Sequence, residues 1–140
     1  MAAAPAPRMA VLTRLRLRSA WWLPRFMYHT IRSERQARAA GGNLRVDLRA
    51  RPGLAFETLT VWQSEGVMRA YVRATPHVQA MKILSAMCSE AATVRIKLAE
   101  DESPEDIDWD RAEDELVERG KLHRVDVPSA DQAAGRIVVT

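Results

Sequence analysis

The chain has 140 residues, 47% hydrophobic and 28% charged, which fits one globular domain and excludes wholesale disorder. Its longest apolar runs are too short to span a bilayer, so no membrane partner is expected. Cys88, the lone cysteine, excludes an internal disulfide, and no CxxC or Cys/His cluster is spaced to hold a metal, which points to a cytoplasmic, reducing compartment. The net charge of +3 hides an asymmetry: residues 1–97 hold 16 Lys and Arg against 5 Asp and Glu, or +11, and residues 98–140 hold 5 against 13, or −8. Such a basic body either binds an anionic partner or is neutralised by its own acidic tail folding over it, and the second reading is preferred. Of the 21 basic residues 18 are arginine, suited to fixed bidentate pairing with carboxylates.

Residues 1–8 are Ala/Pro-rich, lack the apolar core of a signal peptide and read as a disordered extension. From Met9 to Arg18, Val11, Thr13, Leu15 and Leu17 alternate with Leu12, Arg14, Arg16 and Arg18, the pattern of a strand. Trp22, Leu23, Phe26, Met27 and Ile31 then recur at helical spacing up to Gly41 and Gly42. A second strand alternates Leu44, Val46 and Leu48 with Arg45, Asp47 and Arg49, and Arg51-Pro52-Gly53 turns it into a third, Ala55–Trp62, whose faces stay ambiguous. Ser64 caps a short helix, Thr75-Pro76 restarts helix through about Ser89, and on that stretch His77, Met81, Leu84 and Cys88 share a face. Thr93–Leu98 is a fourth strand with Val94, Ile96 and Leu98 inward and Arg95 and Lys97 outward.

The order βαββαβ predicts an α+β, ferredoxin-like antiparallel sheet with two helices on one face. The core occupies residues 9–98 of a domain spanning 9–127. An acidic loop and an extra helix fill 99–120, His123–Val127 reads as an edge strand, and 128–140 is a tail. The sheet face opposite the helices is expected to show Leu12, Arg14, Arg16, Arg45, Asp47, Arg49, Arg95 and Lys97. Without aromatic platforms on the first strand, that face does not suit nucleic acid. It suits a homodimer in which arginines pair with carboxylates across a two-fold axis.

Leu59-Thr60-Val61-Trp62-Gln63-Ser64-Glu65, followed by Met68-Arg69-Ala70-Tyr71-Val72-Arg73 and His77, resembles the antibiotic biosynthesis monooxygenase-like proteins of the dimeric α+β barrel superfamily. The likeness covers roughly residues 9–98. It implies two ferredoxin-like sheets paired face to face and a pocket for a small apolar or aromatic ligand between sheet and helices. Family activities range from cofactor-independent oxygenation of quinol-like aromatics to haem degradation and roles without known chemistry. At the positions where the haem-degrading branch has Asn, Trp and His, this chain has Thr13, Tyr71 and Met81. Haem is therefore not the favoured cofactor, and its remaining route is His77, one helical turn before Met81.

The leading expectation is a monooxygenase-like protein that needs no cofactor or metal, with His77 as general base and Tyr71 beside it as catalytic residues. Trp62, Met68, Met81, Trp22 and Phe26 would line the substrate pocket. The bland readings are a structural His77 at a helix start, a core Tyr71 with its hydroxyl satisfied, and methionines at helical spacing that are plain core. A non-catalytic ligand-binding or structural homodimer is the competing function, and a haem-dependent oxygenase is third.

Overall fold

Alternation along Met9–Leu17 builds strand β1, and in the computed structural model, which describes residues 6–139, β1 lies at the centre of the sheet. A 3-10 turn at Ala20–Trp22 leads into α1 (Leu23–Ala39), and β2 (Asn43–Arg51) and β3 (Ala55–Trp62) form the hairpin. Helices α2 (Glu65–Val72) and α3 (Thr75–Met87) precede β4 (Cys88–Lys97), which completes the ferredoxin-like order. The strands run antiparallel in the order β2-β3-β1-β4-β5, where β5 is only Lys121–Leu122 rather than the expected His123–Val127. Most of the expected 1–8 extension, residues 1–5, lies outside the described residues; at its other end Arg8 donates to the carbonyls of Ala99 and Glu100.

Two boundaries differ from the sequence reading. The helix expected through Ser89 stops at Met87, because Leu17, Arg16 and Leu15 of β1 pair with Cys88, Glu90 and Ala91. Backbone pairing there overrides the helical propensity of Glu90-Ala91-Ala92. Ser103-Pro104-Glu105-Asp106 forms its capping box but makes only a 3-10 turn; the chain then drives Ile107 fully into the core and restarts as α4 (Trp109–Arg119), capped by the Asp108 carboxylate. At the end of α1, Gly42 turns with φ +88, and a Cβ there would meet Val67 Cγ1 at 2.7 Å, so only glycine fits.

Side-chain direction in β4 is the main correction. Leu12 pairs with Val94 and Ala10 with Ile96, so Val94 and Ile96 share a face with Arg14, while Arg95 and Lys97 stand on the side of α1, α2 and α3. The sheet face expected to be a charged surface is therefore half apolar. The chain covers it itself: Ile107, Ala112 and Leu116 pack on Ala10, Leu12, Leu59, Val61, Val94 and Ile96. The surface read as the contact for a second copy is occupied by the extra helix of the same chain.

The charges on that face are paired within the chain. Glu57, fully buried on β3, accepts from Arg14 Nη1 (2.7 Å) on one side and Arg49 Nε (2.7 Å) on the other. Glu113 of α4 reaches down to Arg49 Nη2 (3.0 Å), with Arg51 and Arg14 at 3.6 and 3.7 Å, and the Arg49 guanidinium lies 4.5 Å from the Trp109 ring centre. Burial alone would raise the Glu57 pKa; Glu113, Arg49 and Arg14 more than offset it and hold this carboxyl below its usual range. On this face the acidic segment thus folds over the basic body and, through Glu113, neutralises part of its charge, in line with the preferred reading of the charge asymmetry.

Glu57→Ala is expected to cost ~3–5 kcal/mol in urea unfolding, because two guanidiniums lose a buried counter-charge. Glu65→Ala, which removes only exposed pairs with Arg69 and Arg95, is expected to change stability by about 1 kcal/mol or less.

Candidate functional site

On the other sheet face α1, α2 and α3 close over two apolar clusters that do not merge. One gathers Met9, Ala37, Val46, Trp62 and Met68, with Tyr71 packed against it. The second gathers Leu17, Phe26, Met87, Cys88, Ala91 and Val125, with Trp22 at its margin. Between them, Thr58, Thr13 and Thr93 face each other across β3, β1 and β4, all half-buried.

The first cluster brings together four of the residues singled out in the sequence. Trp62 ends β3 fully buried, its indole N–H donating to Thr60 Oγ1 at 2.9 Å. Ser64 caps α2 directly after the strand, accepting from the Val67 N–H, and this tight junction lays Met68 and Tyr71 over Trp62. The Trp62 and Tyr71 rings stack at 4.8 Å and 28°, and the His77 ring follows at 4.6 Å from Tyr71. The three rings form a column from the core to the half-buried His77.

Gln36 of α1 holds the column together, a role the sequence reading did not assign. Its side-chain amide donates to the Tyr71 carbonyl (3.0 Å) and its oxygen accepts from the His77 N–H (2.8 Å), clamping the end of α2 to the start of α3. Three residues earlier, the Ser33 carbonyl accepts from the Tyr71 hydroxyl at 3.2 Å. The available signal was Ser33 and Gln36 flanking the inward Ala37 at helical spacing.

Protonation in the column follows from these contacts. His77 Nδ1 lies 3.3 Å from the Val72 carbonyl, which can only accept, so Nδ1 carries the proton and a neutral ring leaves Nε2 as the basic nitrogen. Burial pulls the His77 pKa below the ordinary 6.5, against the Val72 bond, so the ring is neutral at pH 7. Burial pushes Tyr71 up to about 12, against its bond to Ser33, so it stays a phenol.

Three expected pocket residues lie elsewhere. Met81 is 49% exposed, and the face expected to join His77, Met81, Leu84 and Cys88 breaks up because Cys88 belongs to β4 and Leu84 packs in the second cluster. Phe26 packs on Phe56 at 4.8 Å, and Trp22 lies under the Arg18 guanidinium at 5.5 Å. Ten residues of α1 separate Phe26 from Gln36, or ~15 Å of helix. The positions corresponding to the haem-degrading pattern do not fit a haem iron: Thr13 offers a hydroxyl, Tyr71 is bonded to Ser33, and Met81 faces outward. Among the described residues no three His, Cys, Asp or Glu side chains group as a metal site. Burial raises the Cys88 thiol to about 12, which makes it a buried hydrophobe rather than a nucleophile. His123, read only as the start of a strand, lies at the end of the threonine row, its Nε2 2.7 Å from Thr93 Oγ1.

Burial also depresses the His123 pKa, with Lys121 adding to it. Both histidines bind protons less readily folded than unfolded, so their contribution to stability is full above about pH 6.5 and is lost as pH falls from there through their folded-state values. Thermal unfolding at pH 7.5 and pH 5 is expected to show this fall, and His77→Phe, which keeps a ring on Tyr71, is expected to reduce it.

No protein-family model matches the chain, and no curated protein matches its sequence. Solved structures do match in fold. A Nitrosomonas europaea protein whose name places it among antibiotic biosynthesis monooxygenases superposes with a TM-score of 0.62 at 10% identity, over 73% of this chain and 100% of its own. SnoaB, a cofactor-independent oxygenase from Streptomyces nogalater, gives 0.54 at 13% identity, over 70% and 97%. A Mycobacterium tuberculosis protein gives 0.63 at 13% identity, over 69% and 99%. These neighbours are matched almost entirely, while over a quarter of this chain lies outside the common fold. The resemblance seen in the sequence holds at the level of architecture, and the chain has the fold of the antibiotic biosynthesis monooxygenase-like proteins.

Proposed function

We propose that this chain is a monooxygenase-like protein that binds a small aromatic or polycyclic molecule at the open end of the Trp62–Tyr71–His77 column, with His77 as general base and no bound cofactor. The observation that carries this reading is the hydrogen bond from His77 Nδ1 to the Val72 carbonyl, which sets the tautomer and leaves Nε2 to take a proton. Stacking on Tyr71 gives the ring a fixed orientation and a flat aromatic neighbour. In the reaction proposed, Nε2 removes a proton from an activated CH2 of the substrate, and the resulting carbanion reacts with dioxygen. The carbon becomes a carbonyl with one oxygen atom, and the other leaves as water with the two hydrogens. Met68 packs in the same cluster as Trp62 and Tyr71, and the half-buried Thr13, Thr58 and Thr93 lie on the same sheet face.

A second reading, a binding protein without chemistry, is favoured by one observation. The polar handles of Trp62 and Tyr71 are both satisfied inside the chain, by Thr60 and Ser33.

Oxygen uptake with a panel of anthrones, which carry the activated CH2, separates the two. The oxygenase reading expects turnover that falls ~10²–10⁴-fold in His77→Phe, with the melting temperature little changed. It also expects kcat/KM to rise with pH and level off below about pH 6.5, since the base is active when neutral and its pKa is depressed. Ligand binding without oxygen uptake by the wild type would support the binding protein instead.

A further inference from the structure

The basic charge of this chain is not neutralised everywhere. On the sheet face Arg14, Arg49 and Arg51 meet Glu57 and Glu113, but the outer side of α1 receives no such cover. Phe26, Ser33 and Ala37 of α1 turn toward the body of the protein. The opposite side carries Trp21 (85% exposed) just ahead of the helix, then Arg25, Tyr28 (56%), Ile31 (41%), Arg32 and Arg35. Trp21 and Tyr28 are seven residues apart, as are Arg25 and Arg32, so aromatic rings and guanidiniums alternate along one stripe of ~20 Å.

Among the described residues, the ion pair made by α1 joins Glu34 to Arg38, and no carboxylate lies within 4.0 Å of Arg25, Arg32 or Arg35. Arg32 instead donates to the Tyr28 hydroxyl (3.3 Å) and to Gln79 of α3 (3.0 Å), and its guanidinium lies 5.5 Å from the Tyr28 ring centre. These contacts hold a cation and an aromatic ring together at the surface.

We propose that this outer face of α1 docks on an anionic lipid surface. The helix would lie in the plane of the interface, with Trp21, Tyr28 and Ile31 entering the boundary between headgroups and acyl chains and the arginines meeting lipid phosphates. Charge complementarity fixes the sign of the partner, and shape and chemistry fix its class. A single convex helix suits a planar partner, and Ile31 gains from an acyl environment but offers nothing to a nucleotide base. Lying on a membrane differs from crossing one: among the described residues no helix is long and apolar enough to span it.

The test is co-sedimentation of the full chain with vesicles of phosphatidylglycerol and phosphatidylcholine in equal parts, and with phosphatidylcholine alone. Binding to the anionic vesicles is expected, weakening with salt and absent from the neutral ones. The double variant Arg25→Glu/Arg32→Glu, which changes the charge of this face by four units, is expected to lose at least about tenfold in affinity. Arg69→Glu, an exposed residue of α2, is expected to bind as the wild type does. Tryptophan emission should shift to the blue on binding, and Trp21→Phe should remove that shift. Melting temperatures establish that the variants are folded. Equal binding to neutral vesicles, or full binding by the double variant, would overturn the proposal. So would capture of single-stranded oligonucleotide in place of vesicles, or a dimer in solution that shields Trp21 from a soluble quencher.

Discussion

The fold turns on one carboxylate. Glu57 sits on β3, between β2 and β1, with no exposure, and a buried charge of that kind persists only if opposite charges reach it. Arg14 from β1 and Arg49 from β2 do so from either side, which ties three adjacent strands through side chains as well as backbone. Their excess positive charge then makes the site for Glu113, and that contact seats α4 on the sheet. The match is imperfect: among the described residues, Arg14 Nε and Nη2 find no hydrogen-bond partner in a buried setting. Such a network specifies an arrangement more than it adds net stability.

Seating α4 has consequences at a distance. Once Leu116, Ala112 and Ile107 cover one sheet face, the other face is the one that α1, α2 and α3 close over. That face is apolar at both ends and polar in the middle, where threonines from three strands line up. Stacked rings occupy one end, and the side-chain amide of Gln36 fixes them by bonding to both α2 and α3. Among the described residues, Arg25, Arg32 and Arg35 of α1 stay without a carboxylate within 4.0 Å, next to exposed aromatic rings.

The ferredoxin-like order was legible in the sequence because strand alternation and helical spacing are local properties. So was the first cluster: Trp62, Ser64, Met68, Tyr71 and His77 lie within sixteen residues, and a capped helix immediately after a strand leaves little freedom in how they meet. The other expected pocket residues were misplaced for the opposite reason. Trp22 and Phe26 sit far along α1, and Met81 follows His77 by one turn of a helix whose rotation is set by packing against α1. Gln36 and His123 were missed because each acts through partners distant in the chain, at His77 and Thr93.

By itself, then, the sequence determined the order of strands and helices through the fourth strand, that the chain is basic ahead of an acidic end, and that Trp62, Tyr71 and His77 lie close together after the third strand. Tertiary structure alone decided which way β4 faces. Alternation separates Val94 and Ile96 from Arg95 and Lys97 but is symmetric about the sheet, so either set could face the helices. The tie was broken by α4, which offered a second apolar layer for Val94 and Ile96 to bury against, and by Glu113, which gave the arginines on that face a carboxylate from 56 residues beyond Glu57.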